Sequence, residues 1–255
     1  MGLSDAVAAV HRQRVWEGLQ KVGRPDSRFH WDFCSFIADF EGSATACASV
    51  RSLSSYTQGG LIFITPDNST EALRAQVIGD GRPFVMTTYG ITRGFLFLDP
   101  SAVPCSDRRY AATLDGMDTY GTPVTLAQVA QMGPITLLVT GGSAVSSNGV
   151  RFGKGHGFFD LEYALLWEAG AIGPGCTVVD VVHDCQVVQA HLEGEDHDVE
   201  VDWVVTPTQA LATGCQRRPG KVHWHKLAGS PLRQVPPVVE LAAMRGVAEA
   251  CPQTA

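Results

Sequence analysis

The sequence predicts an α/β fold: a single three-layer domain in which helices cover both faces of a mostly parallel sheet. Short apolar runs alternate along the chain with stretches of helical spacing, an order typical of parallel sheets. Two such runs, 61–65 and 84–87, flank the helical pattern 70–78 and together predict a β-α-β unit. Because ligands bind at the carboxyl ends of parallel strands, we expect the site at that edge of the sheet.

The composition is that of a globular protein with a full core. Of the 255 residues, 45% are hydrophobic and 18% are charged, and the formal net charge is −7. A chain without a basic surplus is poorly suited to neutralise a nucleic-acid backbone, so nucleic acid is not an expected partner. We expect one domain over 1–255, with a core at about 5–228 and a C-terminal helical extension at about 236–250.

The N-terminal segment predicts a helix over 5–22, because its apolar residues recur with helical spacing. Asp5, His11 and Arg12 interrupt it, which is unlike a signal peptide. The most apolar region, 133–147, is broken by Pro134 and two further glycines, so no membrane helix is expected. These features predict a cytoplasmic protein, as a monomer or homodimer.

The other elements follow in chain order. The predicted elements are a helical pattern through Val50 after the aromatic-rich segment 31–43, a strand at 134–140, a helix at 159–169, and strands at 176–183, 185–188 and 201–206. The stretch 100–122 and the tail after Cys251 are expected to be weakly structured. The seven cysteines form no CxxC pair and suit reduced, mostly packing thiols rather than a zinc site.

The glycine-rich segment 149–163 carries the strongest chemical signal. Glycines at every second position of 153–157 bring backbone N–H groups close to a ligand, and Arg151, Lys154 and His156 add cationic donors. A helix begins directly afterwards and adds its N-terminal dipole. This arrangement suits a polyphosphate. The spacing matches neither the P-loop nor the Rossmann fingerprint, so a solvated glycine-rich turn remains an alternative.

Asp160 follows the glycines and is a hard oxygen ligand beside the predicted phosphate site. Such a carboxylate is a plausible partner for Mg²⁺. Alternatively, it only caps the helix that follows.

Residues 151–160 read Arg-x-Gly-x-Gly-x-Gly-aromatic-aromatic-Asp. This order resembles the signature of the 5-formyltetrahydrofolate cyclo-ligase family, also called methenyltetrahydrofolate synthetases. Segments 135–144 and 197–206 and the helix residue Arg12 are similar to further parts of that family. The resemblance is closest to a divergent cyclo-ligase-like branch, through the segments Asp26-Ser-Arg-Phe-His-Trp-Asp-Phe, Asp39-Phe-Glu-Gly-Ser, Tyr89-Gly-Ile-Thr-Arg93-Gly-Phe and Asp160-Leu-Glu-Tyr. It implies a Rossmann-type architecture.

The resemblance also implies an ATP- and Mg²⁺-dependent ring closure. ATP would phosphorylate the oxygen of an N-formyl or amide group, a nearby nitrogen would attack the activated carbon, and phosphate would leave. In the family this converts 5-formyltetrahydrofolate to 5,10-methenyltetrahydrofolate. Carried over to this chain, the residues are Arg12, Arg151, Gly153, Lys154, Gly155, His156, Gly157 and Phe158 for ATP, Asp160 for the metal, Phe40, Glu41, Tyr89 and Arg93 for the second substrate, and Lys154, Arg151 and Glu41 for catalysis.

Three positions depart from the family pattern. Ala8 replaces a lysine that contacts nucleotide phosphate, the segment 66–70 replaces a folate-binding Gly-Glu-Val-Asp-Thr-like segment with Asp67 as an imperfect counterpart, and Leu161 replaces a basic residue. Two alternatives therefore stay open. The same chemistry could act on a thiamin-related or specialised-metabolite substrate, or the chain could be a nucleotide- or folate-binding regulatory protein without turnover.

Several residues also have simpler interpretations. Glu41 is either a solvated helix acid or a carboxylate that faces the substrate. Arg93 either clamps an anionic substrate group or pairs with a surface acid such as Asp99. The pair His197-Asp198 fits an acid-rich loop better than a catalytic dyad. The basic residues at 217–218 and 221–225 favour a solvated edge.

Overall fold

The computed structural model describes residues 3–215 and 220–247. The α-helices are α1 (Leu3–Val22), α2 (Ser43–Val50), α3 (Ser54–Thr57), α4 (Glu71–Gly79), α5 (Arg108–Ala111), α6 (Leu114–Tyr120), α7 (Leu126–Gln131), α8 (Phe158–Glu168), α9 (Trp224–Leu227) and α10 (Pro236–Arg245). The strands are β1 (Leu61–Ile64), β2 (Phe84–Thr87), β3 (Phe95–Leu98), β4 (Thr122–Val124), β5 (Ile135–Gly141), β6 (Ala144–Ser146), β7 (Arg151–Phe152), β8 (Thr177–Val181), β9 (Val187–Val188), β10 (Trp203–Val205) and β11 (Ala210–Ala212). None of the described helices combines the length and apolarity needed to cross a membrane.

The central sheet has eight strands in the order β11-β10-β8-β5-β1-β2-β3-β4. The five strands from β10 to β2 are parallel, whereas β11, β3 and β4 pair antiparallel at the two ends. The predicted β-α-β unit is β1-α4-β2, with Ile62 of β1 opposite Phe84 of β2. A second, three-stranded sheet has the order β7-β6-β9. The mostly parallel α/β fold is therefore confirmed.

Helices cover both faces of this sheet. Phe63 and Val85 pack into one apolar cluster, which also includes residues of α7, α8 and α10. Ile62 and Ile64, the neighbours of Phe63 in β1, pack into a second cluster with α2 and α4. Successive side chains of a strand point to opposite faces, so the continuous apolar runs in the sequence mark strands that are buried on both sides.

The prediction of weak structure over 100–122 is wrong. This stretch contains α5, α6 and two short 3-10 turns and leads into β4. Its glycines serve packing: a Cβ at Gly116 would lie 1.8 Å from the carbonyl oxygen of Tyr110. Thr113 also caps α6, since its Oγ1 accepts the Gly116 N–H. A Ser-, Asp- and Gly-rich composition thus encodes caps and a close helix contact.

The C-terminal and cysteine predictions need smaller corrections. The helical extension is α10, which ends at Arg245 and is followed by Gly246 in the left-handed region, short of the predicted 250. Of the described cysteines, only Cys47 and Cys176 are buried, so most of them are not packing thiols. The predicted tail after Cys251 and the Arg217-Arg218 pair lie outside the described residues.

Candidate active site

A cleft opens at the carboxyl ends of the parallel strands, where the sequence predicts a site. It lies between α1, the segments that follow β1 and β2, and the loop 153–157, which we call the glycine loop. Arg12 of α1, Asp67 after β1 and Tyr89 after β2 all line it. The fold thus brings together residues that are far apart in the sequence.

The glycine loop leads directly into α8. Gly155 and Gly157 have φ values of 98° and 66°, a region that other residues rarely adopt. Gly157 is the N-cap residue and supplies no side-chain cap to α8. The helix therefore presents its partial positive charge toward the loop, which favours an anion there.

Lys154 is held on the inner side of this loop. Its Nζ lies 3.3 Å from the carbonyl oxygen of Ser35, 4.7 Å from the ring centre of Tyr89 and 5.4 Å from that of Phe158. The Tyr89 hydroxyl donates to the same Ser35 carbonyl. Burial lowers the pKa of Lys154, while the charge of Asp67 opposes that shift. The ammonium group is thus placed by aromatic rings and a carbonyl, facing the cleft.

Arg151 and Arg12 both line the cleft and approach different glycines of the loop, Gly153 and Gly155 respectively. Arg151 is only 8% exposed, donates from Nη2 to the Gly141 carbonyl at 3.0 Å, and stacks 4.7 Å from the ring centre of Phe159. Its Nε has no hydrogen-bond partner among the described residues. The Arg12 guanidinium is 3.9 Å from where a Cβ of Gly155 would lie. A larger residue at Gly155 would therefore approach Arg12.

We call Asp67, Glu162 and Asp180 the acidic floor: Asp67 and Glu162 line the cleft, whereas Asp180 is fully buried and interacts electrostatically with Arg151 and Asp67. Glu162 lines the cleft and accepts the Thr87 hydroxyl at 2.5 Å, and burial raises its pKa to about 8. Burial likewise raises the pKa of Asp180 to about 7, and neither of its oxygens has a hydrogen-bond partner among the described residues. Neither Glu162 nor Asp180 is among the site residues predicted from the sequence.

Asp67 anchors this floor to the sheet. Its Oδ2 accepts the Thr65 hydroxyl at 2.5 Å and the Gly141 N–H at 3.0 Å. From the sequence, Asp67 is expected only as an imperfect counterpart of a folate-binding acid. The signals that could have revealed the floor are an acid within an apolar strand, as in the run 178–182, and an acid two residues after Asp160 on a buried helix face.

Asp160 lies in the first turn of α8 and lines the cleft. Its Oδ1 accepts the Val199 N–H at 3.0 Å, which ties α8 to the acid-rich segment 193–198. Within the described ranges, no group of three or more His, Cys, Asp or Glu is arranged to hold a metal. Mg²⁺ in nucleotide sites usually takes one or two carboxylates together with phosphate oxygens and water. Asp160, beside the glycine loop, is one carboxylate of the kind that this pattern uses.

Three of the residues expected at the second substrate do not line this cleft. Phe40 is fully buried in the core, with its ring 5.7 Å from that of His183. Glu41 is exposed beyond it. Arg93 pairs with Asp118 at 2.6 Å in an adjoining depression that also borders Tyr89. Of the four residues, only Tyr89 meets the glycine loop.

Two sequence interpretations have different outcomes. Asp99 is not the partner of Arg93; it accepts the Ser101 N–H instead. The pair His197-Asp198 does belong to an ion-pair cluster, with 3.7 Å between Nε2 and Oδ1 and 2.8 Å between His197 Nδ1 and Lys226 Nζ. This agrees with an acid-rich loop rather than a dyad. His156 is exposed on the glycine loop, with its ring 5.4 Å from that of Phe158.

The model of the 5-formyltetrahydrofolate cyclo-ligase family matches residues 9–207. The chain belongs to this family. It is 31% identical over 236 residues to a methenyltetrahydrofolate synthase domain-containing protein of Homo sapiens, which covers 91% of this chain and 60% of that protein. A protein of the same name from Mus musculus is 32% identical over 229 residues, 88% of this chain and 60% of its own length. The chain therefore spans about three fifths of the length of these relatives.

The chain is also similar to a solved structure, the NMR structure of Aquifex aeolicus 5,10-methenyltetrahydrofolate synthetase. It has a TM-score of 0.48 and 14% identity, covering 86% of this chain and 99% of that chain. The cyclo-ligase family match includes α1 from residue 9, the glycine loop and the acidic floor, whereas residues 220–247 lie beyond it. The residues that line the cleft therefore all lie within the region that the family model matches, whereas α9 and α10 lie beyond it.

Proposed function

We propose that this cyclo-ligase family member is an ATP- and Mg²⁺-dependent enzyme that activates an N-formyl or amide oxygen by phosphorylation and closes a nitrogen heterocycle. By family membership, the first substrate to consider is 5-formyltetrahydrofolate. One observation carries the proposal: Arg12, Arg151 and Lys154 line a single cleft with the glycine loop and the N-terminus of α8. Converging cations and backbone N–H groups are what a polyphosphate requires.

The cations and the loop would bind and orient the triphosphate. An amide oxygen is a poor leaving group, and its phosphorylation makes it a good one. The attacking nitrogen then forms the new C–N bond, the C–O bond breaks, phosphate leaves with the electron pair, and the nitrogen loses its proton. Protein groups contribute mainly by positioning and by neutralising phosphate charge. Asp160 would hold Mg²⁺, which adds further neutralisation of that charge.

The second substrate would lie between the glycine loop and the acidic floor. Tyr89 and Phe158 provide aromatic surface there, and Asp67 and Glu162 provide carboxyl groups. With its pKa near 8, Glu162 is protonated at neutral pH and can donate a hydrogen bond. This combination suits a flat heterocycle with both donors and acceptors.

One observation favours the alternative of a non-folate substrate. The family's folate-binding acid corresponds here to Asp67, which is shorter than glutamate and already accepts two hydrogen bonds at Oδ2 from Thr65 and Gly141. A carboxylate held by its own fold reaches less far toward a ligand. The same chemistry on a different N-formyl or amide compound therefore remains the second candidate.

The deciding experiment is a coupled ADP-release assay with 5-formyltetrahydrofolate, repeated with a panel of other formamides. Turnover with folate supports the main proposal, and turnover with another compound alone selects the second candidate. Tight ATP binding without any turnover supports a nucleotide- or folate-binding regulatory protein instead. Mg·ATP at a hundredfold excess over Kd should also raise the free energy of unfolding by ~2.7 kcal/mol.

Lys154→Ala provides the matched variant for the nucleotide site. Loss of a charge-assisted phosphate contact worth ~1.5–3 kcal/mol should weaken ATP binding about tenfold to over a hundredfold. Lys21→Ala, on the exposed side of α1, removes the same charge away from the cleft and should leave ATP affinity unchanged. Equal ATP affinity in both variants would count against the glycine loop as the phosphate site.

A further inference from the structure

A second cavity adjoins the glycine loop, between α8 and the C-terminal segment 221–232. It shares the loop residues 155–157, Asp160 and His197 with the main cleft. The two spaces are therefore neighbours around one phosphate-binding loop. The sequence predicts a solvated edge at 221–225, but Val222 is buried and His223 lines this cavity.

The walls of the second cavity are mostly apolar. Leu161 and Ala164 of α8 form one side, and Val222 and Leu227 form the other, all four being buried members of one core cluster. Polar groups occur around this apolar surface, namely His156, His197, Lys221, His223, Lys226 and Ser230. Small-molecule sites commonly combine an apolar slot with a few polar groups.

Specific contacts fix the C-terminal wall. The Val222 N–H donates to Glu168 Oε1 of α8 at 2.6 Å. Lys226 Nζ lies 3.0 Å from Glu195 Oε2 and 2.8 Å from His197 Nδ1, in the acid-rich segment that lines the main cleft. The C-terminal wall is thus hydrogen-bonded both to α8, which follows the glycine loop in the chain, and to the acid-rich segment 193–198.

The direction of phosphoryl transfer assigns the two spaces. Tyr89, Asp67 and Glu162 belong to the main cleft alone, so the second substrate and the transferred phosphoryl group would meet there. In a linear triphosphate the nucleoside is at the opposite end from that group. It would therefore extend from the loop away from Tyr89, Asp67 and Glu162, toward the neighbouring apolar cavity. A flat base suits the apolar walls, and ribose hydroxyls suit the polar groups.

We propose that the cavity between α8 and segment 221–232 binds the nucleoside half of a nucleoside triphosphate. This inference rests on the proposed function, because it needs the glycine loop to hold the phosphates. It assigns a binding role to a C-terminal segment that lies beyond the family match of residues 9–207. The segment thereby completes the nucleotide site instead of merely covering α8.

The test compares ATP with inorganic tripolyphosphate, which has the phosphates but no nucleoside. Leu232→Trp fills the cavity from a partly buried position in the 3-10 turn 231–234. Calorimetric titration should show ATP binding weakened at least about tenfold, with tripolyphosphate binding unchanged. Lys154→Ala should weaken both ligands. Leu53→Trp, which makes the same change at a partly buried leucine beside the other core cluster, should change neither.

His223→Ala gives an independent reading if Leu232→Trp melts at a lower temperature than the native protein. It removes a polar group of the cavity without adding volume, and ATP should again weaken while tripolyphosphate does not. Native ATP and tripolyphosphate affinities in His223→Ala and a folded Leu232→Trp would overturn the inference and leave the phosphate site intact. Failure of the native protein to bind either ligand would overturn the proposed function, and this inference with it.

Discussion

The cationic side of the cleft and the acidic floor differ in charge, in burial and in how the sequence encodes them. The cationic side comprises Arg12 and the glycine loop with its Lys154. Except for Arg12, these residues form one contiguous segment that lines the cleft. The acidic floor comes from three separate places, after β1, within α8 and within β8. Glu162 and Asp180 are buried there. The cationic side is therefore placed to bind an anion, whereas the acidic floor lies mostly in the protein interior.

This difference shows that neighbouring charged residues can have different roles, one in ligand binding and the other in the stability of the fold. Lys154 faces the cleft, where a ligand phosphate can replace water around it. Burial disfavours the charged forms of Glu162 and Asp180, as their pKa values near 8 and 7 indicate. Arg151 belongs to both sides, since it lines the cleft and its charge opposes the raised pKa values of both acids.

The largest loss of stability at neutral pH is expected from Arg151→Leu. Removing its hydrogen bond to the buried Gly141 carbonyl and its contact with the Phe159 ring should lower the free energy of unfolding by about 1–3 kcal/mol. Arg12→Leu makes the same change at a partly exposed position and should cost about 0.5 kcal/mol or less, while weakening ATP binding. Chemical denaturation of both variants measures the difference. A fully stable Arg151→Leu protein would remove the distinction between the two sides, because Arg151 would then be only a ligand contact.

Asp180→Asn should change how stability depends on pH. The pKa of Asp180 in the folded protein, about 7, lies above its ordinary value of 3.8. The stability that depends on a neutral Asp180 is therefore fully present below about pH 4 and is lost as pH rises through 7. The Asn variant should therefore gain stability over the native protein between pH 4 and pH 8, by up to about 4 kcal/mol. Thermal melts across this range measure it. An unchanged pH dependence would mean that Asp180 is not buried in its folded state.

Asp80→Asn is the comparison with the opposite sign. Burial opposes the shift, but hydrogen bonds from Tyr56 and Arg51 hold the pKa of Asp80 below its ordinary value. Its contribution is therefore present at neutral pH and is lost as pH falls through that lowered value. Asp80→Asn should be less stable than the native protein at pH 7, with the deficit shrinking in acid. In the same melts at neutral pH, Asp180→Asn should be more stable than the native protein and Asp80→Asn should be less stable.

The contrast between the sides also explains what the sequence could predict. The glycine loop and α8 are local patterns, and β1, β2 and β5 are apolar runs whose strand ends had to meet at one edge of a parallel sheet. Asp180 lies in an equally apolar run, and only the folded sheet shows that both of its oxygens lack partners. The second cavity is likewise invisible in sequence, because it depends on how segment 221–232 packs against α8. The spacing of residues in the sequence could not predict these contacts between distant segments.

Asp160→Asn should have an intermediate and conditional effect. The substitution keeps nearly the same volume but removes the charge available to Mg²⁺, so the loss of affinity should be largest for Mg·ATP and small for ATP in EDTA. The hydrogen bond from the Val199 N–H can be kept, because an amide oxygen also accepts. Nucleotide titrations with magnesium and with EDTA separate the two. Equal native affinity in both conditions would leave Asp160 with only its structural contact to residue 199.

The smallest effect is expected beside the cleft, at the Arg93-Asp118 pair. Its side chains are 63% and 44% exposed, so solvent screens the 2.6 Å contact and a double-mutant cycle should give a coupling of about 0.2–1 kcal/mol that falls in high salt. Arg93→Ala should also leave ATP affinity unchanged, because Arg93 borders the adjoining depression and not the glycine loop. If Arg93 also binds the second substrate, Arg93→Ala should raise KM for that substrate while KM for ATP stays constant. If both values stay constant, Arg93 is a surface ion pair, and the second substrate is held by the cleft residues alone.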